Sequence, residues 1–193
     1  MRRSELLLLA VLFFGCGNNS TPPEQKAGEV TNAQIPGLKE EFSDAPGLVK
    51  TDIRNASDRI TSTGYLLDGK KESSWVDFTE TGLIKTVTSY VHDKKEGLYL
   101  EFNNSNQLVR RCFYHKDQRH GEYKEYNSVN IKEERYYENG KQMGVAKIYY
   151  DNGKLMEEGY YKNGHRDGVS KWYDQNGNLS IEYEYKNGQL VKK

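Results

Sequence analysis

About two thirds of the chain, from residue 65 onward, alternates between short mixed apolar and polar segments and turn residues. In the clearest stretch, the alternation predicts one strand at about 145–150 and a second at about 155–161. Asp151-Asn152-Gly153 separates these segments, and Asn163-Gly164 follows the second. Asn-Gly favours tight turns between antiparallel strands, and no stripe with a 3.6-residue period is long enough to predict a helix. The pattern therefore predicts consecutive β-hairpins.

The hairpins repeat every 23 or 24 residues, and such a fixed period is the signature of a repeat protein. A residue that we call the anchor opens each copy. The five anchors are Ser73, Gly97, Gly121, Gly144 and Gly168. Five positions after the anchors lie the aromatic residues Phe78, Phe102, Tyr126, Tyr149 and Tyr173. Nine positions after the anchors lie the residues that we assign to the turns: Gly82, Asn106, Asn130, Gly153 and Gly177.

Two further positions of the repeat predict how the sheet packs. Two residues after the anchors lie Trp75, Tyr99, Tyr123, Ala146 and Ser170, and each copy closes on an aromatic at Tyr90, Tyr114, Tyr137, Tyr161 or Tyr185. The aliphatic content is too low for a two-layer sandwich. We therefore expect equivalent rings of successive copies to stack into ladders along the sheet. The predicted fold class is all-β, an elongated single antiparallel sheet of repeated hairpins of about 24 residues in a meander.

The motif of the clearest copies has the form G-x-(Y/W)-x-x-(Y/F), then N-G-K-L, then Y-x-N-G-x-x-x-G, as in residues 149–155 and 160–168. It resembles the MORN-repeat variant of bacteria, including the antitoxin-like YwqK type, over about residues 65–190. The resemblance implies a β-sheet scaffold that binds proteins, and some eukaryotic relatives contact membrane lipids. It attaches none of these roles to a particular residue.

The first sixteen residues resemble a bacterial lipoprotein signal. A basic start is followed by an uninterrupted apolar run at residues 6–14, too short to span a bilayer, and then by Gly15-Cys16. We predict a signal peptide at 1–15 and lipidation of Cys16, which would anchor the chain to a bacterial membrane, the outer membrane being favoured, facing the periplasm or the exterior. The alternative is an ordinary cleaved signal or a short anchor, with Cys16 uninvolved.

A sharp change in composition divides the rest of the chain. All four prolines precede residue 47, and all fifteen tyrosines follow residue 64. The polar segment 16–47 is therefore predicted to be a disordered tether, and 48–193 to be the repeat domain.

No pattern in the sequence is typical of an enzyme. The 28 basic and 28 acidic residues balance, which argues against a nucleic-acid partner. The four histidines lack metal-ligand spacing, and no nucleophile motif or phosphate-binding loop is present. We predict no catalytic residue, cofactor, metal site or small-molecule substrate. A glycan-processing enzyme remains the less favoured alternative, because no acid/base pair stands out among the many carboxylates.

Two sets of residues are candidates for binding a partner. One is a basic run with a single acid, Asp117, which is suited to an acidic partner or anionic lipid; its candidate residues are Arg110, Arg111, Lys116 and Arg119. The other is a set of tyrosines, because Tyr is enriched in interfaces: Tyr99, Tyr123, Tyr149 and Tyr173. The alternatives are a solvated charged face and ordinary packing of the rings. Cys112 is expected to be buried and inert, the alternative being a free reactive or intermolecular thiol.

The leading functional hypothesis is a lipid-anchored, non-enzymatic scaffold that binds a protein in the bacterial envelope. The alternatives are an immunity or antitoxin-like protein that neutralises a toxin by binding it and, less favoured, a module for lipid headgroups.

Overall fold

A computed structural model describes residues 39–128 and 130–191, and every regular element in them is a strand. Fourteen strands form one sheet in which each strand pairs with the next in antiparallel order, so the predicted fold class is confirmed. The strands are β1 Lys39–Glu41, β2 Leu48–Arg54, β3 Ile60–Leu67, β4 Lys70–Phe78, β5 Ile84–Val91, β6 Lys94–Phe102, β7 Leu108–His115, β8 Gln118–Asn127, β9 Asn130–Glu138, β10 Lys141–Tyr149, β11 Leu155–Lys162, β12 His165–Tyr173, β13 Leu179–Lys186 and β14 Gln189–Leu190. Within the described ranges, no helix is long and apolar enough to cross a membrane.

The sheet begins at β1, inside the segment 16–47 that the sequence assigns to the tether. Its three residues pair with β2, and the Phe42 ring that follows lies 6.1 Å from the Tyr65 ring. The predicted signal peptide, Cys16 and the tether before Lys39 lie outside the described residues. β2 and β3 form a further hairpin ahead of the first anchor.

Two kinds of turn alternate along the meander. The first has two residues with positive φ, as at Asn163-Gly164 (53° and 87°), where asparagine and glycine tolerate the left-handed region. These turns also bond to the preceding copy: the amide of Gly164 donates to the carbonyl of Gln142 at 2.9 Å, and the amide of Gly188 to that of Arg166 at 2.8 Å. The second kind is a five-residue loop with one positive φ, as at Gly153 (81°).

The third copy departs from the predicted alignment at its loop. Asn130 is the first residue of β9, where it pairs with Asn127, and the positive φ of 55° belongs to Ser128. The copy is one residue shorter than the others, so its loop contracts and the turn position moves back along the chain. The assignment of Asn130 as the turn residue is therefore wrong.

The anchors lie inside strands, each at a bulge. Gly97, for example, has φ 84° where the pairing of β6 with β5 shifts, and its partner on β7 remains Tyr114. Ser73 has φ 58° at the equivalent position, which strains a residue that carries a Cβ. The bulge thus explains why the period of the sequence is marked by glycine.

Most of the buried side chains form one row across the sheet, which we call the central row and whose face we call the inner face. The row consists of Thr51, Gly64, Trp75, Thr88, Tyr99, Cys112, Tyr123, Arg135, Ala146, Gly159, Ser170 and Tyr183. Trp75 and Cys112 are each 1% exposed. Trp75 lies directly over Gly64, where a Cβ would come within 2.4 Å of the indole, so only glycine fits beneath it.

The strain at the first anchor predicts opposite effects of two substitutions. Ser73→Gly should raise the free energy of unfolding by about 1 kcal/mol, because glycine adopts positive φ without a Cβ clash. Gly144→Ala should lower the free energy of unfolding by about 1 kcal/mol, because a residue with a Cβ is strained at positive φ. A clash with neighbours would not contribute, since the new methyl would meet no atom within 4 Å. Urea denaturation measures both.

Ser74→Gly is the matched control, since Ser74 is exposed and is not among the residues with positive φ. It should lower the stability, because glycine weakens an ordinary strand position. Equal changes for Ser73→Gly and Ser74→Gly would contradict the strain.

Candidate functional site

A repeated cation lies between aromatic rings on the inner face. Two positions before the anchor, the Lys71 ammonium lies 4.3 Å and 5.0 Å from the centres of the Trp75 and Tyr90 rings. Lys95 lies 5.6 Å from Tyr99 and 5.2 Å from Tyr114. The second and third copies share this arrangement, with Arg119 in the third at 4.9 Å from Tyr123 and 5.5 Å from Tyr137. The contacts are within the range of cation–π attraction.

The fourth and fifth copies alter the cation and the ring together. In the fourth copy Gln142 takes the place of the cation and Ala146 takes the place of the first ring. Arg135 from β9 donates to the Gln142 side-chain oxygen at 2.8 Å. In the fifth copy the first ring is replaced by Ser170, whose hydroxyl bonds to Arg166 at 2.9 Å. The Arg166 guanidinium then lies over three other rings, at 5.2, 5.3 and 5.7 Å from Tyr161, Trp172 and Tyr185.

The expected ladders of equivalent rings are wrong, because the close rings belong to the same copy. Tyr99 lies 5.8 Å from Tyr114, and Tyr123 lies 5.9 Å from Tyr137, both nearly edge to face. Equivalent rings of successive copies are two strands apart, or about 9.6 Å, which is too far for ring contact. The cation was not predicted from the sequence, although a Lys or Arg stands two positions before four of the five anchors.

A second row of the inner face carries carboxylates, which we call the acid row: Asp77, Glu101, Glu125, Glu133 and Glu157. Four of them are paired with cations: Glu101 with Arg110 at 2.6 Å, Glu125 with Lys132 at 3.1 Å, Glu133 with Arg135, and Glu157 with Arg166.

The tyrosines of the central row bond to the acid row. The hydroxyl of Tyr99 donates to Glu101 at 3.0 Å, and that of Tyr123 donates to Glu125 at 2.9 Å. Burial and the adjacent carboxylates raise the pKa of both tyrosines. Burial opposes ionisation of Glu125, but the bonds from Lys132 and Tyr123 outweigh it and lower its pKa. Most charged groups of the inner face are therefore bonded to one another, whereas Thr51 Oγ1 and Gln142 Nε2 are buried without a hydrogen-bond partner among the described residues.

The opposite face, which we call the outer face, is divided into two parallel rows. Its charge row alternates in sign from strand to strand: Lys124, Glu134, Lys147, Glu158, Lys171 and Glu182. Lys124 and Glu134 are 3.0 Å apart, and Lys171 and Glu182 are 3.8 Å apart.

Beside the charge row lies an apolar row, the outer strip, formed by Tyr136, Val145, Tyr160 and Val169 on four consecutive strands. Each strip residue is the chain neighbour of a central-row residue and so points away from it. Their exposed fractions are 41%, 48%, 44% and 44%. At about 4.8 Å per strand, the strip extends about 14 Å across the sheet.

The predicted basic run does not form one patch. Arg110 and Arg119 lie on the inner face, where the Arg110 Nε donates to the Tyr123 hydroxyl at 3.2 Å. Arg111 lies on the outer face and pairs with Glu122 at 2.6 Å. Lys116 lies in the turn after β7, with φ 48°, and its amide donates to Glu96 at 3.0 Å. Alternation along β7 separates Arg110 from Arg111, and the turn separates Lys116 from both.

The four candidate tyrosines are also divided. Tyr99 and Tyr123 belong to the central row, and Tyr123 is only 5% exposed. Tyr149 reaches Glu134 in the charge row at 2.7 Å, and burial together with this carboxylate raises the pKa of Tyr149 to about 12. Tyr173 is half-buried, and its carbonyl accepts from the Tyr150 hydroxyl at 2.7 Å. The outer strip shares no residue with the candidates named from the sequence.

The fold also places Cys112 and two of the histidines. Cys112 is buried as predicted, and burial raises the pKa of its thiol, which makes it a poor nucleophile. His115 and His120 come together across a hairpin with their rings 5.7 Å apart, and His115 lies 2.8 Å from Glu96. Within residues 39–128 and 130–191, no three His, Cys, Asp or Glu side chains are grouped to hold a metal.

Comparison with known proteins supports the repeat in the last two full copies. The family model described as MORN repeat variant matches residues 144–163 and 166–187, which are the hairpins β10–β11 and β12–β13. No curated protein matches the chain. Among solved structures, the chain is similar to part of a point mutant of S. aureus TarM, solved in complex with fondaparinux, α-GlcNAc-glycerol and UDP, at 14% identity. That match covers 50% of this chain and 19% of the other, with a TM-score of 0.34, and bears on neither fold nor function.

The stacked cation predicts a graded effect at Arg119. Arg119→Gln should lower the free energy of unfolding by about 1–2 kcal/mol, because both rings lose a cation in a partly buried site. Arg119→Lys should cost less than half of that, since Lys95 occupies the equivalent site between two rings. Urea denaturation gives the order, and equal losses for the two variants would show that the positive charge does not matter.

Glu134 predicts part of the acid dependence of stability. Burial raises its pKa, but the hydrogen bonds from Tyr149 and Lys124 outweigh this and hold the pKa below the ordinary value. A lowered carboxyl pKa stabilises the fold above the unfolded value of about 4.3, and that contribution is lost as the pH falls through the folded value. Glu134→Gln should therefore be less stable than the wild type at pH 6, with the difference narrowing by pH 3.

The stability difference between Tyr149→Phe and the wild type should likewise narrow as the pH falls, because this variant removes one of the two hydrogen bonds that lower the pKa of Glu134. Unfolding curves at a series of pH values test both variants. A constant difference from the wild type at every pH would contradict the assignment.

Proposed function

We propose that the protein is a non-enzymatic repeat scaffold that binds another protein through the outer strip. The observation that carries this proposal is the contrast between the two faces. Over β9–β12, cations, rings and carboxylates bond to one another on the inner face, whereas the outer face of the same four strands presents apolar side chains more than 40% exposed. Contiguous apolar surface beside charged residues is typical of a protein interface.

The surface is suited to binding rather than to chemistry. Tyr136 and Tyr160 supply large apolar area with a polar hydroxyl, a combination enriched at interface hot spots. The charge row next to the strip alternates in sign, so it would select the orientation of a partner rather than attract any one net charge. The MORN repeat variant matched by the fourth and fifth copies covers three of the four strip residues.

We further propose that the scaffold acts at a bacterial membrane, anchored by lipid on Cys16. The apolar run at 6–14 and Gly15-Cys16 support this part of the proposal. Fractionation of cells that produce the wild type or Cys16→Ala tests it. We expect the wild type alone in the membrane fraction, and equal distribution of the two proteins would contradict the anchor.

Partner binding is tested by a photo-crosslinking amino acid placed at position 160 in intact cells. We expect one dominant crosslinked protein from Tyr160 and none from Val91, an apolar control of similar exposure (43%) outside the strip. Val145→Asp should abolish the crosslink without unfolding the sheet, because Val145 is 48% exposed. Identical crosslinks from positions 160 and 91, or none from either, would contradict the proposal.

A further inference from the structure

Asp77 lies in an open polar groove of about 470 Å³ on the inner face, lined also by Ser62, Thr86, Thr88 and Tyr99. Ser62 and Thr88 are 7% and 3% exposed, so the bottom of the groove consists of buried polar side chains. Asp77 accepts from the Ser62 hydroxyl and, at 2.7 Å, from the Thr86 hydroxyl.

Among the described residues, Asp77 is the only member of the acid row without a cation within 4 Å. The hydroxyls of Ser62 and Thr86 each engage one carboxylate oxygen and leave its negative charge unbalanced. A carboxylate oxygen accepts more than one bond, so both retain capacity for a donor. The groove therefore favours a cationic occupant.

The neighbouring copy shows which cation fits this position. Arg110 stands on β7 between Glu101 and Glu125, as Thr86 stands on β5 between Asp77 and Glu101. The Arg110 guanidinium bridges an acid of its own copy and a tyrosine of the next: it bonds to Glu101 at 2.6 Å and to the Tyr123 hydroxyl at 3.2 Å. In the first copy, the corresponding acid and tyrosine are Asp77 and Tyr99, and threonine stands in place of the arginine.

Nearby positive charge does not prevent such binding. Lys95 lines the groove, with its ammonium over the Tyr99 ring, and Lys85 at the rim is exposed. Arg119 has the same relation to Tyr123 that Lys95 has to Tyr99, and Arg110 is nevertheless bound beside it. Tyr99 donates to Glu101, as Tyr123 donates to Glu125, so its oxygen can accept from a guanidinium in the same way.

We infer that the groove between Asp77 and Tyr99 binds an arginine side chain presented by a protein partner. A planar guanidinium carries several donors in a fixed fork and can bond to an acid and a phenol together, as Arg110 does in the next copy, whereas an ammonium is a compact point charge without that fork. The site is on the face opposite the outer strip and at the other end of the repeats. This inference therefore goes beyond the proposed function, and either can fail alone.

The experiment titrates the purified full-length chain with acetylated and amidated Ala-Arg-Ala, following the backbone amide signals of Thr86 and Tyr99 by NMR. We expect saturable shifts, with affinity about tenfold weaker for the citrulline peptide, which lacks the charge, and intermediate for the lysine peptide. Equal affinity for the arginine and citrulline peptides would overturn the inference. Tighter binding of free ethylguanidinium than of the arginine peptide would also overturn it, because the site would then suit a small molecule.

Two variants test the site from the side of the protein. Asp77→Asn should weaken binding of the arginine peptide about tenfold. Thr86→Arg should abolish binding and raise the melting temperature, because the chain's own guanidinium would fill the groove as Arg110 does in the next copy. Unchanged affinity in a folded Thr86→Arg would overturn the inference. The crosslink from position 160 should be unaffected by either variant, which separates this test from that of the proposed function.

Discussion

The stacking of a cation between two aromatic rings is the interaction on which the rest of this sheet depends. In residues 39–128 and 130–191 there is no second layer, so each copy must shield its own backbone from water on the inner face. Lys95 and Arg119 do this with their aliphatic stems and charged ends, which lie against rings on either side. The carboxylates of the acid row then bond to the ring hydroxyls, so a layer with few aliphatic residues still packs closely.

This arrangement tolerates substitution when partners change together. The fourth copy loses the cation and the first ring, and Arg135 is drawn in from the neighbouring strand. The fifth copy loses the first ring and stacks Arg166 on three others. In the second copy Arg110 stands next to the acid, whereas in the first copy Thr86 stands there and a groove is left at Asp77. The open position in the first copy is thus recognised by comparison with the second.

At both proposed contact surfaces, the outer strip and the groove at Asp77, side chains lack a full set of partners within the described part of the sheet. On the inner face the acid row lacks a cation at the groove, while the outer face presents apolar side chains because no layer covers them in the described residues. The bulged anchors keep these faces distinct along the meander, since each positive φ restores the alternation of side chains after an extra residue. Backbone hydrogen bonds from the turns, such as that from the Gly164 amide to the Gln142 carbonyl at the start of β10, hold successive copies together.

The sequence by itself determined the meander, because period, turn chemistry and alternation are local properties written in each copy. Its all-β fold and the hairpin of residues 145–161 follow from the Asn-Gly and Gly positions together with the alternating segments between them. Only the tertiary structure decided which rings touch, since contact depends on the distance across two strands, which a linear pattern does not reveal. The separation of Arg110 from Arg111, the contraction of the loop before Asn130 and the groove at Asp77 likewise depend on which face each side chain takes and on what stands opposite it.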